Sequence, residues 1–115
     1  MSHIQSVIET FTALAEPNRL RIVELLRAGA RPVGEIGERL HLQQPQVSKH
    51  LRVLKDAGLV AVEVRAQQRF YELRPEPLRE LNAWLERFRE ILDARFVRLD
   101  DYLEHMKKTR PRTKK

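Results

Sequence analysis

The sequence predicts a mainly α-helical fold with one small β-hairpin. Two segments with apolar residues at helical spacing, 33–40 and 44–57, are separated by three residues, which is the spacing of a helix-turn-helix. Two short runs rich in β-branched or aromatic residues follow at 59–64 and 69–73. A longer helical pattern begins near residue 75. Together these segments are typical of a winged helix-turn-helix domain with an added C-terminal helix.

Two helices are expected before the helix-turn-helix. The first is amphipathic, with apolar residues at Ile4, Val7, Ile8, Phe11 and Leu14. The second spans 17–28 and opens on a proline, which suits a first helical turn. The residues of this helix that are expected to turn mostly inward are Leu20, Ile22, Val23, Leu25 and Leu26. Arg19 and Arg21 would either contact phosphate or form surface ion pairs with Glu16 or Glu24.

The helix predicted at 44–57 combines an apolar stripe with a polar exposed face. Pro45 suits its first turn, and Gly58 suits the position just past its end. The apolar stripe contains Val47, Leu51 and Leu54. Polar residues occupy the rest of the cylinder, so one face can pack while the other enters the major groove of DNA.

The polar residues of this helix predict base recognition and phosphate contact. Glutamine can pair bidentately with adenine, lysine or arginine with guanine, and serine with either, while the remaining cations neutralise phosphates. The candidates are Gln44, Gln46, Ser48, Lys49, His50, Arg52 and Lys55. For His50, contact with phosphate and packing near the hairpin are both open. An ordinary solvated helix face is the alternative for the whole set.

The hairpin, within residues 60–73, is expected to form the wing, with a polar turn at 65–68. Arg65 and Arg69 would lie beside the DNA backbone or minor groove, where they add affinity but little sequence information. The turn lacks glycine, which leaves its type and the position of its tip undetermined.

Three residues are unusual for their positions in the helix-turn-helix. Gln43 stands where a serine would cap the helix better, by about 1 kcal/mol. Gly34 and Gly37 each carry a helix-propensity cost of about 1 kcal/mol relative to alanine. The two glycines indicate either close packing or a weak helix.

The C-terminal pattern predicts one helix of about thirty residues that starts near Pro75 or Pro77. Such a helix would be about 45 Å long, too long for a small domain to cover its apolar stripe. We therefore expect a homodimer that joins the N- and C-terminal helices and presents two recognition helices to an inverted repeat; an intrachain core helix is the alternative. The expected interface residues are Ile4, Val7, Ile8, Phe11, Leu81, Leu85, Phe88, Leu92, Phe96, Leu99 and Leu103.

Composition and charge indicate a single globular domain, which we assign to residues 1–106. The chain has 115 residues, of which 42% are hydrophobic and 33% are charged. Its net charge of +6 is uneven, with +3 in 43–69, −3 in 70–106 and +6 in 107–115. The positive excess of the body therefore lies on the predicted recognition helix and wing. Residues 107–115 are expected to be a disordered basic tail that either attracts phosphate or contacts nothing specific.

A cytoplasmic location without membrane contact is expected. No apolar run approaches the roughly 20 residues that span a bilayer, and the N-terminus lacks the organisation of a signal peptide. The chain has no cysteine, which excludes disulfides and thiolate chemistry.

Two segments resemble those of the ArsR-type (arsenical-repressor-like) winged-helix regulators: AEPNRLRIVELL at 15–26 and QPQVSKHLRVLKDAGLV at 44–60. The resemblance extends from about residue 8 to residue 105. It implies a dimeric transcriptional repressor that binds double-stranded DNA, with helix 44–57 in the major groove. The family's cysteine-containing metal motif is absent, so the chain is more similar to the non-metal branch, where an organic effector, a partner protein or expression level alone would control binding.

A metal-responsive repressor is a second hypothesis. Asp101 and His105 are four residues apart on the predicted C-terminal helix, with Asp100 and Glu104 adjacent, and His3 could approach across a dimer. Such oxygen and imidazole ligands suit zinc, but the paired ligand pattern of the resembled family is missing. No metal or other cofactor is therefore expected.

An enzyme and a protein-interaction module are two further hypotheses. Ser48, His50 and Asp56 are the obvious nucleophilic set, but Ser48 and His50 point about 200° apart on one helix and cannot act as nucleophile and base. We therefore expect no enzymatic activity. A dimeric winged helix that binds protein instead of DNA is disfavoured by the cations and glutamines concentrated on one helix. The operator, the target genes, the effector and the choice between repression and activation are not indicated by the sequence.

Overall fold

The computed structural model describes residues 3–109, apart from the side chains of residues 3, 95–98, 108 and 109. The elements in this range are α1 (His3–Leu14), α2 (Pro17–Leu26), β1 (Arg31–Pro32), α3 (Val33–Leu40), α4 (Gln44–Asp56), β2 (Val60–Arg65), β3 (Gln68–Leu73), α5 (Pro75–Glu86) and α6 (Arg89–Thr109). The chain divides into a first compact unit that ends at Asn82 and a second that begins at Ala83. The predicted winged helix-turn-helix lies in the first unit and is confirmed.

The core of the first unit is apolar and is built mainly from α2, α3 and α4. Its most buried aliphatic side chains are Ile22, Ile36, Val47, Leu51, Leu54 and Leu59. Burying one side chain of this size stabilises the fold by about 1.5–3 kcal/mol. Leu20 was expected to turn inward but is 46% exposed. Because Leu20 and Ile22 are two positions apart on α2, about 200° around the helix, they cannot both face the core.

The turn between α3 and α4 is closed by an unusually close backbone approach. His41 ends α3 in the left-handed conformation, with φ of 59°, and the N–H of Leu42 donates to the carbonyl of Gly37 at 3.0 Å. A Cβ at Gly37 would lie 2.9 Å from the Leu42 carbonyl oxygen and 3.5 Å from Val47 Cγ2. At Gly34 a Cβ would meet nothing within 4 Å. Close packing therefore accounts for Gly37 but not for Gly34.

The sheet has three antiparallel strands in the order β1-β3-β2. Strands β2 and β3 form the predicted wing hairpin, which is closed by Ala66 and Gln67 with φ of 48° and 68°. Positive φ at both central residues is the pattern of a type I′ turn, which usually contains asparagine or glycine. Strand β1 is not predicted by the sequence, because two residues carry no periodicity.

The single long helix predicted from residue 75 is wrong, because the segment forms two helices, α5 and α6. At their junction the N–H of Arg87 donates to the carbonyl of Trp84 at 3.2 Å, and that of Phe88 donates to Leu85 at 3.0 Å. Hydrogen bonds that reach back three residues tighten the last turn of a helix and end it. The 21 residues of α6 make it about 32 Å long.

Two predicted boundaries also shift. Helix α2 ends at Leu26 instead of residue 28, because the N–H groups of residues 27–29 donate to carbonyls three residues back. Helix α6 continues to Thr109, so residues 107–109 are helical although the tail was expected to start at 107. Residues 110–115, the rest of the expected tail, lie outside the described residues.

The approach at Gly37 predicts opposite effects for two similar substitutions. Gly37→Ala should lower the free energy of unfolding by about 1–3 kcal/mol, because the added Cβ must displace the Leu42 carbonyl. Gly34→Ala, in the same helix, is the matched control and should raise it by up to about 1 kcal/mol, because alanine favours the helix and restricts the unfolded chain. Urea unfolding followed by circular dichroism measures both, and two changes of the same sign would contradict the explanation.

Candidate nucleic-acid interface

Helix α4 buries one stripe and exposes the rest of its circumference. Val47, Leu51 and Leu54 are at most 1% exposed. With the exception of His50, the predicted contact residues of this helix are all exposed: Gln44, Gln46, Ser48, Lys49, Arg52 and Lys55. Among these predicted contact residues, at about 100° per residue, Lys49 and Arg52 point most directly away from the buried stripe. The exposed residues therefore form a polar ridge along the outside of α4.

Gln46 closes the start of its own helix. Its Oε1 accepts a hydrogen bond from the backbone N–H of Gln43 at 3.0 Å. In a capping box, the residue at the third helical position satisfies the N-cap backbone in this way. The weak cap expected at Gln43 is therefore supplemented from within the helix. The bond engages the same oxygen that a bidentate contact with adenine would use.

His50 packs against α2 and is not part of the polar ridge. Its side chain is 15% exposed, and its Nδ1 lies 3.8 Å from Oε1 of Glu16. Glu16 is the N-cap of α2, where it accepts a hydrogen bond from the backbone N–H of Arg19 at 2.8 Å. This hydrogen bond holds the pKa of the Glu16 carboxyl below its ordinary value. The His50 side chain thus faces a helix start, which neither interpretation of the sequence anticipated.

Arg19 and Arg21 hold the ends of two other helices. Nε of Arg19 donates to the carbonyl of Ala13 at 2.7 Å, near the end of α1. Nη2 of Arg21 donates to the carbonyl of Leu40 at 3.0 Å, the last residue of α3. The surface ion pair with Glu16 or Glu24 was one of two alternatives predicted from the sequence. Among the described residues, neither guanidinium forms it. Arginine is suited to this role, since the last carbonyls of a helix lack partners and carry a partial negative charge.

The two wing arginines lie on opposite faces of the hairpin. In the register of β2 and β3, Arg65 pairs with Gln68 and Arg69 pairs with Val64. Directly paired residues share a face, and successive residues of a strand alternate between faces. A DNA backbone that runs along one face of the wing therefore cannot contact both guanidinium groups.

Arg65 is engaged within the wing itself. Its Nη2 lies 3.0 Å from Glu63 Oε1, and its guanidinium carbon lies 4.8 Å from the centre of the Phe70 ring. Glu63 was not a predicted site residue, although residues two apart on a strand share a face and so indicate this pair. In the described part of the chain, Arg69 has no ion-pair partner. Arg69 is thus the less engaged of the two wing cations.

A small cleft joins the wing to the start of α4. It has a volume of about 220 Å³ and is lined by Pro32, Val33, Gly34, Gln44, Gln68 and Arg69. The fold therefore brings together two predicted contact residues, Gln44 and Arg69, that are distant in the sequence. Gln68 belongs to the polar turn expected at 65–68 and was not among the predicted contact residues.

Exposed apolar residues line α1 and the helices of the second unit. On α1, Ile4, Ile8 and Phe11 are 43–48% exposed. In the second unit, the large exposed apolar residues are Leu85, Phe88, Ile91, Leu92, Leu99, Tyr102 and Leu103. Val7, expected at a dimer interface, is instead buried within its own chain, and Leu81 is partly buried. The side chain of Phe96 lies outside the described residues.

Two more expectations from the sequence concern α6 and membranes. Among the residues described, no three histidine, cysteine, aspartate or glutamate side chains come close enough together to hold a metal ion, including those around Asp101 and His105. Across residues 3–109, no helix has the length and apolar character needed to cross a bilayer.

Comparisons with known proteins all find similarity to helix-turn-helix transcriptional regulators. A family model of a helix-turn-helix domain matches residues 14–63. The HTH-type transcriptional regulator Rv2034 of Mycobacterium tuberculosis is 41% identical over 88 residues, covering 76% of this chain and 82% of the relative. The transcriptional repressor SdpR of Bacillus subtilis is 31% identical over 78 residues, covering 68% and 87% respectively.

A solved structure is similar to this chain in its fold. It is a homodimeric winged helix-turn-helix DNA-binding domain from Mycobacterium bovis, described as a possible ArsR-family transcriptional regulator. The identity is 28%, the match covers 89% of this chain and 85% of the other, and the TM-score is 0.63.

The capping bond of Gln46 predicts a ranking of stabilities in the absence of DNA. Gln46→Ala should lower the free energy of unfolding by about 1 kcal/mol, because the Gln43 N–H loses its acceptor. Gln46→Glu keeps an acceptor and adds a favourable charge near the helix start, so it should be at least as stable as the parent. Gln44→Ala is the control and should stay within about 0.5 kcal/mol. Urea denaturation measures all three, and an unchanged Gln46→Ala variant would refute the capping role.

Proposed function

This chain belongs to the ArsR family of winged helix-turn-helix transcriptional regulators, and from that premise we propose that it is a homodimeric repressor that occupies an inverted-repeat DNA operator. The observation that carries the proposal is the polar ridge of α4, which is exposed along its length and borders the wing through the cleft between Gln44 and Arg69. The major groove of B-DNA, about 12 Å wide, admits such a helix. The protein would act in the cytoplasm, where its DNA target lies.

Base contacts are assigned to Gln44, Ser48 and Lys49. Their side chains provide the donors and acceptors that distinguish base edges in the major groove. Gln46 is left out of this set because its oxygen caps the helix. Arg52 and Lys55 are assigned to phosphates, which fix the position of the helix in the groove.

The wing is proposed to contact phosphate through Arg69. This residue shares a cleft with Gln44, at the start of the proposed recognition helix, and has no carboxylate partner in the described part of the chain. Arg65 must first leave Glu63 and the Phe70 ring, so its net contribution to binding should be smaller.

Dimerisation is proposed to cover the exposed apolar residues of α1 and of the second unit. An apolar stripe as long as that of α6 costs free energy while it faces water, and a second copy of the chain presents the matching surface. The homodimeric relative from Mycobacterium bovis supports this assignment. Twofold symmetry would offer one α4 helix to each half of an inverted repeat.

Selection of bound duplexes from random DNA tests the proposal. We expect a palindrome whose half-sites are about one helical turn apart, roughly 34–36 Å. On the selected duplex, Arg69→Met should weaken binding about fivefold and reduce the salt slope by about 1, because one phosphate contact is lost.

Arg65→Met is the matched control on the opposite face of the wing, and its effect should be smaller because Arg65 is already paired with Glu63. Mobility shift at several salt concentrations measures both variants. Failure to select any sequence over competitor DNA would reject the function, whereas equal losses for the two arginines would reject only the assignment on the wing.

The proposed dimer can be tested separately, in the absence of DNA. Ile8→Glu should raise the dimer dissociation constant at least about tenfold, because burying an unpaired carboxylate costs more than about 1.4 kcal/mol. Val64→Glu is the control, since Val64 is 67% exposed but lies on the wing. Sedimentation equilibrium measures both variants, and a parent chain that stays monomeric at micromolar concentration would overturn the dimer.

A further inference from the structure

A second cleft, of about 530 Å³, opens at the other end of α4. It lies between the last turns of α4, strand β2 and the start of α5, and it is contained entirely within the first unit. Its walls are mostly apolar, with Val60, Ala61, Val62 and Pro77 contributing. Pockets that hold small molecules typically measure about 300–1,000 Å³ and combine an apolar lining with a few polar groups. The cleft therefore has a volume within the range of small-molecule sites and a partly apolar lining.

The charged groups of the cleft leave one positive charge uncompensated. Nε of Arg74 lies 3.3 Å from Oε1 of Glu76, so these two side chains pair with each other. The N–H of Glu76 itself and then the Arg74 side chain hold the pKa of the Glu76 carboxyl below its ordinary value, so it is ionised at neutral pH. Lys55 lines the same cleft and has no ion-pair partner among the described residues. The cleft thus favours a ligand with a single negative charge.

Strand β2, which contributes residues to the lining of the cleft, also has an unpaired edge within the described part of the chain. The N–H of Arg74 donates to the carbonyl of Leu59 at 2.8 Å, which makes residues 59 and 74 a hydrogen-bonded pair. In an antiparallel ladder such pairs alternate, so the N–H of Val62 points away from β3. Because β2 is the edge strand of the sheet, no strand among the described residues pairs with this N–H, and Val62 is one of the residues that line the cleft.

We propose that this cleft binds a small organic monoanion, a carboxylic acid with an apolar body, and that the bound acid weakens DNA binding. The carboxylate pairs with Lys55, and the apolar body packs on Ala61, Val62 and Pro77, which are partly exposed. The regulatory half rests on the proposed function, in which Lys55 contacts phosphate. A lysine held by a carboxylate is withdrawn from the DNA backbone, so the acid and the duplex oppose each other's binding by the same factor.

Benzoate is the probe for the DNA-free, full-length protein, with benzamide as its neutral counterpart and inorganic phosphate as an anion without an apolar body. We expect saturable binding of benzoate with a dissociation constant of roughly 1–10 mM, as suits so small a ligand. Amide shifts in nuclear magnetic resonance should change at Gly58 and at residues 60–62. Benzamide and phosphate should bind at least about tenfold more weakly.

Two substitutions should act in opposite directions on benzoate affinity. Lys55→Met removes the uncompensated charge but keeps the length of the side chain, and it should weaken binding about fivefold. Glu76→Gln removes the competing carboxylate and should strengthen binding. Lys49→Met, on the polar ridge of the same helix and outside the cleft, is the control and should leave benzoate affinity unchanged.

A second experiment, with DNA, distinguishes a failure of the benzoate site from a failure of the proposed DNA-binding function. At a benzoate concentration about ten times its measured dissociation constant, affinity for the selected duplex should fall severalfold, and the fall should disappear in Lys55→Met. Absence of saturable binding, equal binding of benzamide, or indifference to both Lys55→Met and Glu76→Gln would overturn the site. Binding of benzoate with no effect on the duplex would overturn its regulatory role. A protein that binds benzoate but no duplex would refute the proposed function and leave the site standing.

Discussion

The orientation of the polar ridge of α4 depends on one close backbone approach, that of Gly37 to the carbonyl of Leu42. The two groups are near enough that a Cβ would lie 2.9 Å from the oxygen. This approach lets α3 turn directly into α4 and seats Val47 in the core. Once Val47 is buried, helical geometry determines which residues of α4 face outward. The polar ridge is therefore a consequence of a turn that itself contributes no side chain to the ridge.

Much of the positive charge of the folded body is already engaged within the chain. Arg19 and Arg21 hold helix ends, and Arg65 is paired with Glu63. A guanidinium group carries five donors in a fixed fork, which suits it to carbonyl groups at the end of a helix as well as to phosphate. The number of arginines consequently overstates the number of cations that are available to an anion such as phosphate. Cations without a carboxylate partner, such as Lys55, are the ones available to DNA or to another anion.

Helix α4 contributes residues to three different parts of the first unit. Its buried stripe packs in the core, its polar ridge faces outward, and its last turn lines the larger cleft. Lys55 lies on the exposed face of α4 and also lines the cleft. In the proposed scheme, an anion that binds Lys55 in the cleft therefore competes with DNA for it without any movement of the helix. Such coupling needs only a competition between two anions for one ammonium group. In the proposed scheme, this competition lets the domain respond to a ligand although it has no cysteine.

The sequence by itself determined the helix-turn-helix, the wing hairpin and the exposed residues of α4, because apolar periodicity and turn residues are local properties of the chain. It also indicated the family through two short segments. Only the tertiary structure decided that His50 faces Glu16, that β1 joins the sheet, that the C-terminal pattern is two helices, and that Lys55 shares a cleft with Arg74. These features depend on which distant residues meet, and periodicity contains no information about distance between elements.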